Sequence, residues 1–309
     1  MYFPVAGIEV NPFVPPLVAF AISFFTSMGG VSGAFLLLPF QVSILGFSTP
    51  AVSSTNQLFN IVAIPSGVYR YLKEGRMVWP LTWLVVIGTL PGVLAGALLR
   101  IHYFPDPRNF KFFAGLVLLY LGARLLQDLL FPGRGKEQNR VELRIKEYQA
   151  QNKGGALPPV ILHRAGLHRI RYEFMGEICE APSVAILALS LVVGVIGGIY
   201  GIGGGAIIAP FFVSVFGLPV HTVAGAALMG TFVTSVAGVL FYQLIAPFYP
   251  SLAVAPDWLL GLLFGLGGFC GMYCGARAQK HMPARVIKWL LAAFVLFTAG
   301  KYVLEFFLR

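Results

Sequence analysis

From Ala181 to Pro256 the chain carries no Asp, Glu, Lys or Arg. A soluble core meets a polar surface within a few residues, so a run of this length is several membrane segments joined by short loops, each span needing roughly 20 apolar residues. The composition agrees. Hydrophobic residues make up 57% of the 309 and charged residues 11%, against about 25% charged in soluble domains. The net charge of +10 sits in a few loops rich in Lys and Arg. That is the pattern of a polytopic membrane protein rather than of a nucleic-acid binder. The N-terminus has no basic n-region, and its apolar stretch outruns a signal-peptide core, so the first segment is expected to stay in the membrane.

Apolar segments lie at about 13–45, 48–72, 78–100 and 110–131, and again at about 184–217, 220–247, 257–277 and 286–307. The two sets of four read as copies. A shift of 171 residues lays Gly33 on Gly204, Pro39 on Pro210, Gly46 on Gly217 and Tyr71 on Tyr242. After a short gain near "LIAPFYPSLAVAP" a shift of 177 lays Lys111 on Lys288, and Arg124 and Asp128 on Lys301 and Glu305. The expected organisation is a membrane repeat over 1–131, a linker or insertion over 132–183 and a second repeat over 184–309. In the insertion, "GRGKEQNRVELRIKEYQAQNK" reads as a short charged helix, and "VILHRAGLHRIRYEF" alternates around Ala165-Gly166 as a small β-hairpin does. Its Lys and Arg place it in the cytoplasm.

The fold class is an all-α polytopic membrane protein with two homologous four-segment repeats. The first segment of each copy is about 33 residues, roughly 50 Å as one helix, too long for a single crossing of about 30 Å. If it crosses once, the copies are parallel. If it folds back at its glycines, the copies are inverted. Both arrangements are open, and loop charge leans to inversion.

The glycines of "GIYGIGGGAIIAPFF" (198–212) supply the fold-back. Non-helical backbone inside a membrane is tolerated only where it is buried or lines a wet cavity. A half-helix is expected to start near Gly204 and Gly205, after Gly203, and another at Ser32 and Gly33 in "GGVSGA". Their N–H groups and positive dipole ends would face an anion. Other readings compete. Gly88, Gly92 and Gly96, and Gly267, Gly271 and Gly275, recur every four residues, as close helix packing requires, and packing also competes for Gly201–Gly205. "GIGGGA" lacks the strand and acid of a dinucleotide site. "GVSG" resembles an intramembrane serine protease motif, which makes Ser32 a nucleophile in a remote hydrolase reading, but the second copy has Gly203 at that place.

Polar residues inside spans are functional candidates. Ser53, Ser54, Thr55, Asn56, Gln57 and Asn60 form one run, with Asn56 and Asn60 on one helical face, and the second copy offers Thr231, Thr234 and Ser235. Neutral donors suit an anion that must also leave, and helix–helix hydrogen bonding is the competing reading. Arg70 is a candidate gate, or an interfacial cation, and His221 a candidate proton site, or an ordinary helix start. No acid is expected deep in a span, which favours an anion and leaves coupling unexplained. Cys179, Cys270 and Cys274 have no metal-like spacing, so neither a metal nor a cofactor is expected.

The stretch "GIGGGAIIAPFFVSVFGLPVHTVAGAALMGTFVTSVAG" and its weaker partner "GGVSGAFLLLPFQVSILGFSTPAVSSTNQLFNIVAIPSG" resemble the TauE/SafE sulfite-exporter family over nearly the whole chain outside 132–181. The first copy departs from the glycine core at Ser32 and Ala34. The resemblance implies movement of sulfite, a sulfonate or a related sulfur-containing anion. The expected function is a secondary transporter of such an anion in a bacterial inner membrane, with an uncoupled anion channel as the alternative. Its substrate-binding candidates are Ser32, Gly33, Thr55, Asn56, Asn60, Gly203, Gly204, Gly205, Thr231 and Thr234. Expected partners are the anion and the lipid bilayer, not nucleic acid, and a homodimer is compatible with the sequence.

Overall fold

The computed structural model describes residues 1–28, 32–73, 75, 77–130, 144, 148, 158–166, 168–205, 207–278 and 284–308. The charged helix expected after residue 132 lies outside this set except at 144 and 148, as does most of the basic loop 277–285. The first half comprises α1 (Val14–Met28), α2 (Ala34–Ser43), α3 (Ala51–Ala63), α4 (Pro65–Lys73), α5 (Trp79–His102) and α6 (Pro107–Leu130). The second comprises α7 (Ser183–Tyr200), α8 (Ile208–Phe216), α9 (Val220–Ile245), α10 (Trp258–Ala278) and α11 (Ala284–Leu308). Among the described residues six helices are long and apolar enough to cross a membrane, namely α5, α6, α7, α9, α10 and α11. The chain is an all-α polytopic membrane protein.

Each long first segment is broken. In the second half, α7 ends at Tyr200 and the chain turns through Gly201 and Gly203, with φ of +83° and +75°, before α8. These are left-handed values that a Cβ disfavours. The half-helix was expected to open at Gly204 and Gly205, but α8 begins only at Ile208, because residues 201–205 are spent on the turn. In the first half α2 begins at Ala34 with Gly33 before it. Both short helices end alike. The Phe47 amide donates to Gln41 O at 2.9 Å and the Leu218 amide to Phe212 O at 3.3 Å, a six-residue closure at matching places.

The glycines spaced by four seat helix on helix. On α5, a Cβ at Gly92 would stand 2.8 Å from Val195 N of α7, and at Gly88 2.9 Å from Leu187 O. On α10, a Cβ at Gly271 would stand 2.9 Å from Phe20 Cα of α1, and at Gly267 2.6 Å from Pro16 Cα. Packing is thus the role of these glycines. The partner backbones match as well: Pro16 and Phe20 on α1 stand 171 residues before Leu187 and Leu191 on α7.

Two further contacts fix direction. Gly115 of α6 lies against Tyr302 and Gly122 against Leu296, so α6 and α11 run antiparallel. Gln57 faces Gly238, Asn60 faces Ser235 and Gly67 faces Leu228, so α3 and α4 run antiparallel to α9. In these two cases, helices that the sequence shifts of 171 and 177 lay on each other touch and point opposite ways.

Before α7 the chain forms a three-stranded antiparallel sheet, β3 (Ile161–Ala165), β4 (Arg169–Phe174) and β5 (Glu177–Pro182), after a minimal N-terminal pair, β1 (Tyr2–Phe3) and β2 (Ile8–Glu9). The β3–β4 hairpin turns around Gly166, and β5 is a strand that the sequence reading did not anticipate. The sheet is tied to the helices. Tyr172 on β4, buried, donates to Thr222 Oγ1 on α9 at 2.8 Å, since the Thr222 proton goes to Pro219 O. Burial pushes the Tyr172 hydroxyl above its usual pKa range. Ser183 Oγ, at the head of α7, donates to Gly166 O at 2.7 Å.

Candidate functional site: a polar seam beside two chain breaks

The polar run of α3 is buried along its length and lies against the end of α7. Ser53 Oγ donates to Ile199 O at 3.1 Å, Asn56 Nδ2 to Gly201 O at 3.1 Å, and Asn60 Nδ2 to Ile202 O at 3.0 Å. The last carbonyls of a helix have no intrahelical partner, and here they are satisfied by the side chains of a neighbouring helix. Asn56 does more. Its second N–H reaches Ala34 O at 3.1 Å, at the first turn of α2, and its Oδ1 accepts from Gln41 Nε2 at 3.3 Å. One amide thus bridges both chain breaks.

On the other side stands α9. The Gly204 amide donates to Thr234 Oγ1 at 3.0 Å, and the Thr234 proton goes to Gly230 O at 2.7 Å. Gly204 N–H is therefore engaged, which corrects the expectation that it points at a ligand. Thr231 bonds back to Ala227 O at 2.9 Å and sets its methyl against Gly203. Gly205 abuts Ala227 O, and Gly204 abuts Thr89 of α5. Gly201 has no room for a Cβ beside Ser53 Cα, which would be 2.5 Å away. The break is packed tightly from α3, α5 and α9, so its glycines serve close approach as well as the turn.

The other candidates are placed as follows. Ser32 is buried and its Oγ accepts from the amide of Ala34, the first residue of α2, at 3.4 Å. Gly33 sits against Ser23 Oγ and Thr26 Oγ1 of α1. Thr55 Oγ1 accepts from the Asp257 amide at 2.9 Å and so faces the head of α10 rather than a break. Arg70 falls on α4, with its side chain outside the described residues. His221 is half-buried on the first turn of α9, far along that helix from Thr231 and Thr234.

Two residues carry more than the sequence reading assigned them. Asp257 is 3% exposed. It accepts from Leu260 N at 3.1 Å, capping α10, and from Ala6 N at 3.3 Å, holding the N-terminal hairpin. Asp257 stands just ahead of α10, at the helix head rather than deep in a span. Gln57 is fully buried, yet neither atom of its amide has a hydrogen-bond partner, and Asn60 Oδ1 also lacks one. Buried polar groups are paired in the great majority of cases. These unpaired atoms lie on the α3 face that meets α9.

The family description "Sulfite exporter TauE/SafE" matches residues 16–302. No curated protein and no solved structure matches the chain. With 16–302 of 309 residues matched, spans of the right length and two glycine-broken segments around a polar seam, the chain belongs to the TauE/SafE sulfite exporter family of membrane transport proteins.

Proposed function

We propose that this protein is a secondary transporter that moves a small sulfur-containing anion, sulfite or a sulfonate, through the seam between α3, α9 and the two chain breaks. The observation that carries the reading is the Asn56 amide, which ties the opening of α2 to the end of α7 inside a buried, uncharged polar cluster. Membrane carriers place their substrate where broken helices meet at the interface of two repeats. The antiparallel contacts of α6 with α11, and of α3 and α4 with α9, support two inverted copies related through that seam. Within the cluster Ser32 and Asn56 hold the backbone of Ala34, Asn56 also holds Gly201 and Thr234 holds Gly204, while Thr231 sets its methyl against Gly203. Asn60 is shared between backbone and site, and Thr55 supports α3 from behind. Ser32 supports the backbone where α2 opens.

Counterflow tests the function. Proteoliposomes loaded with unlabelled sulfite are diluted into labelled sulfite. A carrier accumulates label transiently above equilibrium. Equilibration without overshoot would mark a channel, and uptake equal to protein-free vesicles would end the transport reading.

The orientation proposed is an inner-membrane protein with 132–183 in the cytoplasm, on the strength of nine Lys and Arg between Arg134 and Arg171. A cysteine placed at Gln151 should resist a membrane-impermeant maleimide in intact cells and react after lysis. Labelling in intact cells would invert the topology.

A further inference from the structure

Gln57 projects from α3 toward Gly238 of α9, close enough that a Cβ on Gly238 would meet the amide, with Gln57 Nε2 3.0 Å away. Three residues on, Asn60 projects toward Ser235, three residues before Gly238, at 3.5 Å. The two side chains therefore share one stripe of the α3–α9 seam. Asn60 spends Nδ2 on Ile202 O and leaves Oδ1 without a partner; Gln57 leaves both ends without one. Either orientation of the Gln57 amide presents one donor group and one acceptor. The stripe thus offers one donor and two acceptors, all fully buried and none charged. A fully ionised oxyanion has only acceptors to offer. It would satisfy Gln57 Nε2 and leave two buried oxygens facing its own negative charge, a costly arrangement. A singly protonated oxyanion carries an O–H for one of those oxygens and acceptors for the amide.

We propose that the α3–α9 stripe of Gln57 and Asn60 binds the sulfur anion in its singly protonated form, so that a proton crosses on the substrate and no side chain within the spans carries it. The proposal rests on the transporter reading above.

Among the described residues, the ionisable groups on the elements around α3 stand as follows, and one of them, the buried Tyr242 hydroxyl, has no hydrogen-bond partner. On α7, Tyr200 donates to Phe35 O at 2.8 Å. On α9, Tyr242 lies beside Arg100 of α5, and His221 stands 17 residues from Gly238, about 25 Å along a helix. Asp257, ahead of α10, is held by Ala6 N and Leu260 N. Lys73 on α4 and Arg277 on α10 are exposed, and α2 has no titratable residue.

Sulfite loses its second proton near neutral pH, so the full-length protein in detergent can be titrated with sulfite on both sides of that point. Affinity for total sulfite should fall about tenfold for each pH unit above it, the dilution of the protonated form. The slope should persist in His221→Gln, because the proposal puts the proton on the substrate and not on a side chain of α9. Gln57→Leu should bind more weakly at low pH and show a shallower slope. Affinity that is flat or rises with pH in the parent protein overturns the proposal. So does a slope abolished by His221→Gln, which would put the proton on the protein, or a Gln57→Leu variant that titrates like the parent. Absence of sulfite binding at every pH would overturn the transporter reading itself.

Discussion

The side-chain amide of Asn56 donates to the carbonyl oxygen of Gly201 at 3.1 Å, across 145 positions of sequence. The same amide holds Ala34 O and accepts from Gln41. A residue that satisfies two backbone breaks at once ties their positions together, so a movement of either break is felt at the other.

Asn56→Leu removes all of these bonds. It leaves the carbonyls of Ala34 and Gly201 buried with one fewer partner, at about 1–3 kcal/mol for each group left unpaired. The detergent-solubilised variant should unfold several degrees below the parent in a thermal melt and bind sulfite more weakly. A parent-like melting temperature would show that the bridge is not structural.

Gly92 sits on the backbone of α7, closer to Leu191 O than to Val195 N. Gly92→Ala forces α5 and α7 apart, an overpacking cost of about 1–3 kcal/mol. Its direct contacts, Leu191, Gly194 and Val195, precede Gly201 by six residues or more and touch no residue of the polar run, so sulfite affinity should change by less than about twofold, under 0.5 kcal/mol. A melting curve and a binding isotherm on the same sample check both statements.

The Tyr172–Thr222 bond joins the sheet to α9. Tyr172→Phe should cost about 1 kcal/mol. The pH dependence has a definite sign. The folded-state pKa of Tyr172 is raised by burial above the unfolded value of about 10. The folded chain then holds its proton longer than the unfolded chain, and the stability that this residue supplies below pH about 10 is lost as pH climbs from there toward the folded value. Melting temperatures measured through that range should fall more steeply for the parent than for Tyr172→Phe. Parallel curves would show that Tyr172 ionises freely.

Much of this was legible in the sequence because it depends on local chemistry. The charge-free run implies spans, glycines at every fourth residue imply close helix contacts, and alternation around Gly166 implies the β3–β4 hairpin. Strand β5 was not legible, because its turn uses Met175 and Gly176, with φ of +56° and +76°, in place of an Asn-Gly signature. The left-handed backbone falls at Gly201 and Gly203 and not at Gly204, a choice that packing against Ser53 and Thr231 makes and no local pattern encodes. The polar run of α3 was visible as a whole. Which of its amides is spent on carbonyls and which is left unpaired is decided by partners such as Gly201 and Gly238, far away in sequence. Asp257 stayed hidden for the same reason, since its burial depends on Ala6, 251 residues away.

The central claim is that the chain break at Gly201–Gly205 shapes the anion site, and it is tested most directly by a sulfite binding isotherm on Gly203→Ala beside Gly92→Ala. At Gly203, φ is +75° and an added Cβ would lie 2.9 Å from Ser235 Oγ and 3.1 Å from Thr231 O, so the break must shift. Gly203→Ala should lose at least about tenfold in sulfite affinity, roughly 1.4 kcal/mol, while Gly92→Ala, comparably destabilised, keeps the parent affinity. Equal affinity in Gly203→Ala and the parent protein would contradict the account and leave the glycines of the break a packing role alone.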